Sequence, residues 1–289
     1  MAIEPPVVSP RDLASAYLVM AAAPADAPAR PVAGGTDVMV ALTGELGDPP
    51  ASVVDLWAID ELRGISLDVD TLSLGALTTY TDIRRSALCR EHLPVLVEAA
   101  ATIGAAQIQN RGTLGGNIAN ASPAGDTLPV LLALDAEIVV GGPRGERAIV
   151  ATDFWVAYRR TALAPDELIV RVRIPIGGGR EARFRKIGTR RAQAISKVVL
   201  ALARQGGGSS ASWRDVRVAL GSVADRPIRA RATEAVLEGA TPTPETADAA
   251  AEALAAEIHP IDDVRSTAEY RRAVAARALH RMIRDAGGW

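Results

Sequence analysis

The stretch Ala33-Gly34-Gly35-Thr36-Asp37 follows a short apolar run and precedes the apolar residues 38–42. This order predicts a strand, a glycine turn and the start of a helix, where backbone N–H groups can converge on an anion because no Cβ obstructs them. A second stretch, Thr113-Leu114-Gly115-Gly116-Asn117, repeats the glycine pair between two short polar side chains. One Gly-Gly turn alone is only a turn signal. Two that fold together would form a cradle for a long anion such as a dinucleotide pyrophosphate.

Other nucleotide-binding and catalytic patterns do not fit. Thr36-Asp37-Val38 stands where a Walker loop would carry its lysine. Gly34 and Gly35 are adjacent and lack the correctly spaced third glycine of the Rossmann fingerprint. No paired nucleophile accompanies the histidines, which are His92, His259 and His280. We therefore predict no catalytic residue on this chain.

Length and composition are those of an ordinary globular protein. The chain has 289 residues, of which 48% are hydrophobic and 23% charged, enough for a core divided into two or three lobes. A formal charge of −2 leaves no basic excess, so we expect no nucleic-acid partner. We expect neither a transmembrane segment nor a secretory signal, and therefore a cytoplasmic protein.

The cysteine content limits the metal chemistry. Cys89 is the single cysteine, so an intramolecular disulfide and a zinc site of several thiolates are both excluded. An iron–sulfur cluster normally takes four cysteine ligands, so we expect none on this chain. We predict no metal site, and we interpret Cys89 as a packed thiol.

Hydrophobic patterning predicts a mixed α and β protein in three segments. In the first, residues 1–55, a helix opens at Ser9-Pro10, and a strand, the glycine loop, a helix and a second strand follow. The second, residues 56–177, contains two strands within 65–76, a helix over 94–106, and strands over 136–140 and 168–174. Pro175 and Gly177-Gly178-Gly179 mark the next boundary.

Residues 178–289 predict a small sheet followed by helices. Three strands are expected, over 184–187, 195–202 and 216–220, with Gly206-Gly207-Gly208-Ser209 as the hairpin loop between the last two. Helices are expected over 245–258 and 266–284. A capping box, Ser266-Thr267-Ala268-Glu269, opens the second helix and places Val274, Ala278 and Met282 on one stripe.

Five stretches of the sequence resemble the flavoprotein subunits of the molybdenum hydroxylases. They are residues 32–37, 112–126, 183–188, 218–223 and 269–272. That family includes the medium subunits of carbon monoxide dehydrogenase and the central domain of xanthine dehydrogenase. The resemblance implies an α+β fold: a two-lobed FAD-binding domain of the PCMH type (lobes 1–55 and 56–177), then a C-terminal three-stranded sheet with a helical bundle (178–289).

The resemblance also implies the residues that bind FAD. Residues 32–39 wrap the pyrophosphate, and the second glycine stretch closes from the other side. Asp126 matches a flavin-contacting aspartate, Ile169 an apolar residue packed on the cofactor, and Lys186 a flavin-proximal lysine. The implied set is Val32, Ala33, Gly34, Gly35, Thr36, Asp37, Val38, Met39, Thr113, Gly115, Gly116, Asn117, Asp126, Ile169 and Lys186.

Structural roles compete with these assignments. Asp126 also suits a helix cap before Thr127-Leu128-Pro129, Ile169 and Ile103 suit an ordinary core, and Lys186 suits an exposed strand. A carboxylate is repelled by a pyrophosphate, so Asp37 and Asp126 are better suited to accept hydrogen bonds from ribose or ribityl hydroxyls.

Two positions depart from the family pattern. Many relatives have Ile-Arg-Asn before the second glycine stretch, whereas this chain has Ile108-Gln109-Asn110 and then Arg111. A role for that arginine toward a phosphate or a partner subunit therefore does not transfer. Carbon monoxide dehydrogenases tend to have His-Ser after the first Gly-Gly, where this chain has Thr36-Asp37, which favours a heterocycle or aldehyde hydroxylase.

The function that the resemblance implies is electron transfer within an oxidoreductase. A large molybdopterin subunit hydroxylates the substrate, [2Fe–2S] clusters on a small subunit pass the electrons on, and FAD on this chain delivers them to an external acceptor. A dimer of such heterotrimers is expected. The sequence identifies neither substrate nor acceptor. The alternative is a stand-alone flavin reductase of the same fold, and a scaffold without flavin is disfavoured because both loops are intact.

Overall fold

The computed structural model describes residues 5–24, 26–44, 49–190, 193–206 and 211–289. Four sheets, of three, five, four and two strands, organise this part of the chain. Among the described residues, no helix combines the length and apolar character that crossing a membrane requires.

The N-terminal residues form a small parallel sheet with two helices. The elements are β1 (Val7–Val8), α1 (Leu13–Ala22), β2 (Arg30–Val32), α2 (Val38–Thr43) and β3 (Val53–Asp55). Strand β3 lies between β1 and β2, which confirms the predicted order of strand, glycine loop, helix and strand. The predicted helix start at Ser9-Pro10 is wrong. Asp12 is the N-cap, because its Oδ1 accepts a hydrogen bond of 2.7 Å from the N–H of Ser15.

The middle part of the chain contains a five-stranded antiparallel sheet with flanking helices and a separate two-stranded sheet. Its elements are β4 (Ile65–Asp68), β5 (Thr71–Gly75), α3 (Tyr80–Arg85), α4 (Ala87–His92), α5 (Pro94–Ala101), α6 (Ala106–Arg111), α7 (Leu114–Asn120), α8 (Leu128–Ala133), β6 (Glu137–Gly142), β7 (Gly145–Val150), α9 (Ala151–Phe154), β8 (Trp155–Ala157), β9 (Arg160–Thr161) and β10 (Leu168–Pro175). The order β4-β5-β10-β6-β7 places the alternating strand β10 at the centre. The predicted helix over 94–106 ends at Ala101 instead, and Gly104, at φ +53°, turns the chain into α6.

The C-terminal part is a sheet covered by helices. Its elements are β11 (Glu181–Ile187), β12 (Val198–Gln205), β13 (Arg214–Gly221), β14 (Ile228–Arg229), α10 (Arg231–Leu237), α11 (Pro244–Glu257) and α12 (Ala268–Gly287). The three predicted strands pair in sequence order, and the two-residue β14 adds to the edge beside β13. Of the predicted hairpin loop, residues 207–209 lie outside the described part of the chain.

The last helix differs from its prediction by about one position. Thr267, not Ser266, is the N-cap, since its side chain accepts from the N–H of Tyr270. The buried stripe accordingly includes Met282 as predicted, but Val274 and Ala278 are only partly buried. The fully buried positions beside them are Ala275, Leu279 and Ile283.

Strand β12 joins the two hydrophobic cores of the protein. Alternate side chains enter the larger core, which contains the five-stranded sheet, and a smaller core under α10, α11 and α12. The first set is Val199, Ala201 and Ala203, and the second is Val198, Leu200 and Leu202. This double burial fixes the C-terminal sheet, and with it β11, against the part of the chain that carries both glycine stretches.

Candidate functional site

Both glycine stretches line one elongated cleft. One half, the glycine half, has a volume of about 710 Å³ and is lined by residues of both stretches. The other, the lysine half, has a volume of about 570 Å³ and contains Asp126 and Lys186. Six residues line both halves, namely Thr36, Asp37, Tyr80, Asn117, Asn120 and Arg159. A long ligand can therefore extend from one end to the other.

The first glycine stretch leaves N–H groups free at the start of α2. Gly35 has φ +77°, a conformation that glycine adopts at little cost. Helix bonding begins when the N–H of Met39 donates to the carbonyl of Gly35 at 2.8 Å. In the described chain, no hydrogen bond uses the N–H groups of Thr36, Asp37 or Val38. These groups line the cleft in a geometry suited to an anion.

The second glycine stretch is built differently, because its N–H groups already have partners. Thr113 caps α7 by accepting a hydrogen bond of 3.0 Å from the N–H of Gly116. The N–H of Gly115 donates to the carbonyl of Ala76 at 2.9 Å, and that of Leu114 is also bonded to the main chain. This stretch forms a wall of the cleft, so the two stretches are not equivalent cradles.

Asparagine side chains supply the polar groups of that wall. Asn117 accepts a hydrogen bond of 2.6 Å from Thr127, which leaves its NH₂ group to bind a ligand. Asn120 donates to Asp37 at 2.9 Å and accepts from Arg159 at 2.8 Å. The carboxylate of Asp37 is therefore oriented by the opposite wall, and the exposed guanidinium of Arg159 places a positive charge where the two halves meet.

The lysine half contains a buried ion pair. Lys186, on β11, donates to the Oδ2 of Asp126 and, at 3.1 Å, to the carbonyl of Thr102. The two charged side chains are only 10% and 7% exposed. Burial raises the pKa of Asp126, and the charge of Lys186 opposes this shift. Lys186 is therefore not an exposed strand lysine. Asp126 makes no side-chain cap on α8, whose N-cap is Thr127.

One atom of this pair lacks a partner. The Oδ1 of Asp126 is buried and accepts no well-formed hydrogen bond from a described residue, because the nearby hydroxyl of Ser196 bonds to the carbonyl of Ala124 and to Ser222 instead. A buried carboxylate oxygen without a donor is costly. A ligand N–H or O–H group placed in the lysine half would satisfy it, so this end of the cleft fits a ligand that offers a donor to Asp126.

The cleft brings together most of the residues that the sequence indicates. Thirteen of the fifteen implied residues line it, and Ile103 lines the lysine half as well. Ile169 is 6% exposed and belongs to the larger core, and it also lines the glycine half. It can therefore serve both as a core residue and as an apolar contact of the cofactor. The two exceptions are Val32, which ends β2, and Met39, whose side chain is 54% exposed.

The departure before the second glycine stretch has a structural role outside the cleft, since neither Gln109 nor the following Arg111 lines it. The guanidinium of Arg111 lies 3.8 Å from the centroid of the Trp57 ring. Gln109 is 5% exposed, accepts a hydrogen bond from Arg84, and donates to the carbonyl of Ile103 at 3.0 Å. Gln109 thus fixes the segment that holds Thr102 against Lys186.

Of the six residues that line both halves, three were not predicted from the sequence. Asn120 lies within residues 112–126, which resemble the family and could have indicated it, whereas Tyr80 and Arg159 belong to no recognisable motif. No group of three or more His, Cys, Asp or Glu residues suited to a metal occurs in the described chain.

The comparisons with known proteins agree with this geometry. The family described as the FAD-binding domain in molybdopterin dehydrogenase matches residues 2–177, and the CO dehydrogenase flavoprotein C-terminal domain matches residues 183–286. The chain therefore belongs to the FAD-binding flavoprotein subunits of the molybdenum hydroxylase family. It is an FAD-binding protein and a subunit of an oxidoreductase.

Individual relatives match over most of their length. The nicotine 6-hydroxylase medium subunit of Paenarthrobacter nicotinovorans is 34% identical over 261 residues, covering 89% of each chain. The glyceraldehyde dehydrogenase medium chain of Sulfolobus acidocaldarius is 32% identical, covering 85% of this chain and 86% of that one. Carbon monoxide dehydrogenase of Hydrogenophaga pseudoflava superposes with a TM-score of 0.91 at 30% identity, covering 97% and 96%.

Proposed function

We propose that this chain is the electron-transfer subunit of a molybdenum hydroxylase, in which FAD takes electrons from [2Fe–2S] centres on a partner subunit and passes them to an external acceptor. The observation that carries the proposal is the single cleft that joins free N–H groups at one end to a buried Asp–Lys pair at the other. Such a cleft suits a ligand with an anionic middle and a polar ring.

The residues of the glycine half bind the pyrophosphate in this proposal. The N–H groups of Thr36, Asp37 and Val38 donate to its oxygens, and the NH₂ group of Asn117 approaches from the opposite wall. Arg159 adds the positive charge that a doubly charged group requires. Asp37 is oriented by Asn120 and accepts from a sugar hydroxyl.

The residues of the lysine half bind the flavin ring. Bound flavin exchanges electrons one or two at a time, which connects one-electron clusters to a range of acceptors. The cationic Lys186 stabilises negative charge near the ring and so raises the tendency of the flavin to be reduced. The Oδ1 of Asp126, which has no partner among the described residues, accepts a hydrogen bond from the flavin. Ile103 and Ile169 give the apolar contacts.

Partner subunits complete the proposed electron path. Relatives are described as medium chains or subunits of multi-subunit dehydrogenases and hydroxylases, and this chain has one cysteine. We accordingly place the molybdopterin on a large subunit and the [2Fe–2S] clusters on a small one, in a cytoplasmic dimer of heterotrimers. The lobes 1–55 and 56–177 and the C-terminal domain 178–289 remain the proposed division of the chain.

The test replaces Lys186 and compares it with the other lysine of the chain. Lys197 does not line the cleft, and its Nζ lies 4.9 Å from the centroid of the Tyr270 ring. In the purified complex, Lys186→Met should weaken FAD binding and lower the flavin midpoint potential, whereas Lys197→Met should change neither. An unchanged potential in a folded, FAD-loaded Lys186→Met protein would reject the placement of the ring.

A further inference from the structure

Tyr80 is buried beside the point where the two halves of the cleft meet. It is 3% exposed, yet it lines both the glycine half and the lysine half. None of the hydrogen bonds among the described residues uses its hydroxyl, and its oxygen, unlike that of Tyr17, is not among the fully enclosed polar atoms without a partner. A core tyrosine usually bonds its hydroxyl to a neighbour, and because Tyr80 lines both halves of the cleft, its hydroxyl can donate to a ligand there.

Gly112, directly before the second glycine stretch, packs against the ring of Tyr80. Tyr80 begins α3, which Thr79 caps, and its N–H donates to the carbonyl of Gly112 at 3.2 Å. A Cβ atom added at Gly112 would stand 2.8 Å from the Cε2 of Tyr80. The absence of a side chain at Gly112 therefore makes room for the ring and fixes where the hydroxyl lies.

The carboxylates of Asp37 and Asp126 both act on this hydroxyl. Burial raises the pKa of Tyr80, and the charges of Asp37 and Asp126 raise it further. The phenol consequently stays neutral and able to donate at any physiological pH.

We propose that the hydroxyl of Tyr80 binds the ribityl chain of FAD. This inference rests on the proposed function, in which the pyrophosphate lies in the glycine half and the ring lies beside Lys186. The group that connects them is a neutral polyol, and it has to pass the point where the halves meet. Tyr80 thus binds the sugar-alcohol part of the cofactor and positions the ring relative to the phosphates.

The experiment measures FAD dissociation constants for the folded apoprotein carrying Tyr80→Phe. Loss of one hydrogen bond to a neutral group should raise Kd about fivefold. The matched control is Tyr17→Phe, which removes a buried, unpartnered hydroxyl that does not line the cleft. The control should bind FAD as the wild type does.

FAD analogues that each lack one ribityl hydroxyl separate contact from packing. If Tyr80 bonds one hydroxyl, the analogue without that hydroxyl should bind the wild type and Tyr80→Phe equally well. The inference would be overturned if Tyr80→Phe lost the same affinity relative to the wild type with every analogue, or if it lost no affinity for FAD. In either case Lys186→Met would still lose affinity if the proposed function is right, and a wild type that fails to bind FAD would refute that function instead.

If Tyr80→Phe does not fold, the FAD analogues still test the inference. The analogues are then compared on the wild-type protein, where the phenol is in place. At least one should bind more weakly than FAD. Equal affinity for all of them would overturn the inference.

Discussion

Gly34 lies against the main chain of Arg111, so closely that a Cβ atom added at Gly34 would stand 1.7 Å from the Arg111 carbonyl oxygen. The first glycine of the loop is therefore required by the contact between the first glycine stretch and the C-terminal end of α6. Its neighbour Gly35 is required for another reason, since its φ is +77° and the nearest atom to an added Cβ, the Cγ of Met39, would be 3.4 Å away. Adjacent glycines thus serve different physical purposes.

We expect Gly34→Ala to destabilise the protein and to weaken FAD binding, because the first glycine stretch and the end of α6 have to separate to admit the methyl group. Overpacking of this kind costs about 1–3 kcal/mol. Thermal denaturation without FAD measures it. Gly177→Ala is the control, since its Cβ would meet nothing nearer than 3.3 Å. Equal Tm values for the two variants would contradict the contact.

We expect Gly35→Val to abolish FAD binding in a folded chain. The left-handed backbone at this position strains a β-branched residue by about 1–3 kcal/mol, which distorts the free N–H groups that follow. Gly116→Val should also abolish binding, because its Cβ would stand 2.9 Å from the Oγ1 of Thr113, the cap of α7. Flavin absorbance per chain after gel filtration gives the stoichiometry.

Gly179→Val serves as the control for these variants. Gly179 has φ +65° and no atom within 4 Å of an added Cβ, and it does not line the cleft. It carries similar backbone strain and should retain FAD. Retention of stoichiometric FAD by Gly35→Val or Gly116→Val would show that the corresponding stretch does not contact the cofactor.

The sequence predicted which segments form the cleft better than it predicted the hydrogen bonds and packing within it. Glycine pairs and alternating strands such as β10 leave local signals, so the loops and the central strands were found. Tyr80 and Arg159 carry no such signal, because what brings them to the cleft is the packing of α3 and of the β8–β9 hairpin. Hydrogen bonding was also beyond prediction: Thr113 uses the N–H of Gly116 for its cap, and no pattern distinguishes that use from anion binding.

The errors at helix ends arise because two nearby residues can each serve as the N-cap. Ser9 and Asp12 are both good N-caps, as are Ser266 and Thr267, and propensity alone does not choose between them. Tertiary packing decides. Leu13, for example, donates its N–H to the carboxylate of Glu61 at 3.2 Å, which fixes the start of α1 just after Asp12.

Acid should selectively weaken the wall of the glycine half. Arg147 lowers the pKa of Glu167 below its ordinary value of 4.5, and the N–H of Ala164 also donates to it. The unfolded chain therefore binds the proton more tightly, so this stabilisation is present above about pH 4.5 and disappears as the pH falls through the folded pKa. We expect Glu167→Gln to cost about 1 kcal/mol at pH 7, a modest value because Arg147 is half exposed.

Unfolding free energies from pH 3 to pH 7 check this. The difference between Glu167→Gln and the wild type should shrink toward acid. The more exposed pair of Glu146 and Arg171 provides the control, and Glu146→Gln should have a smaller effect. A difference that is constant with pH would exclude titration of Glu167 as its source.

We expect FAD to be held without a covalent bond. Tethered flavins in proteins of this wider fold are usually attached through a histidine or cysteine near the ring. Cys89 is fully buried in α4, and burial raises the pKa of its thiol, which makes it a poor nucleophile. None of the residues that line the described cleft is a cysteine or histidine. Acid precipitation should leave all flavin in the supernatant, and a yellow pellet would contradict the expectation.

The last prediction concerns partnership. Alone, the chain should bind FAD and show no hydroxylase turnover, because one cysteine cannot hold a cluster and the described residues offer no metal site. Co-expressed with a large molybdenum subunit and a small iron–sulfur subunit, it should purify as a dimer of heterotrimers containing molybdenum, iron and FAD. Turnover should appear only when all three subunits are mixed, and Lys186→Met should slow flavin reduction in the assembled complex without dissociating it. If the isolated chain instead oxidised or reduced a small organic substrate at a useful rate, it would be a stand-alone flavin reductase, and the electron path through partner subunits would be wrong.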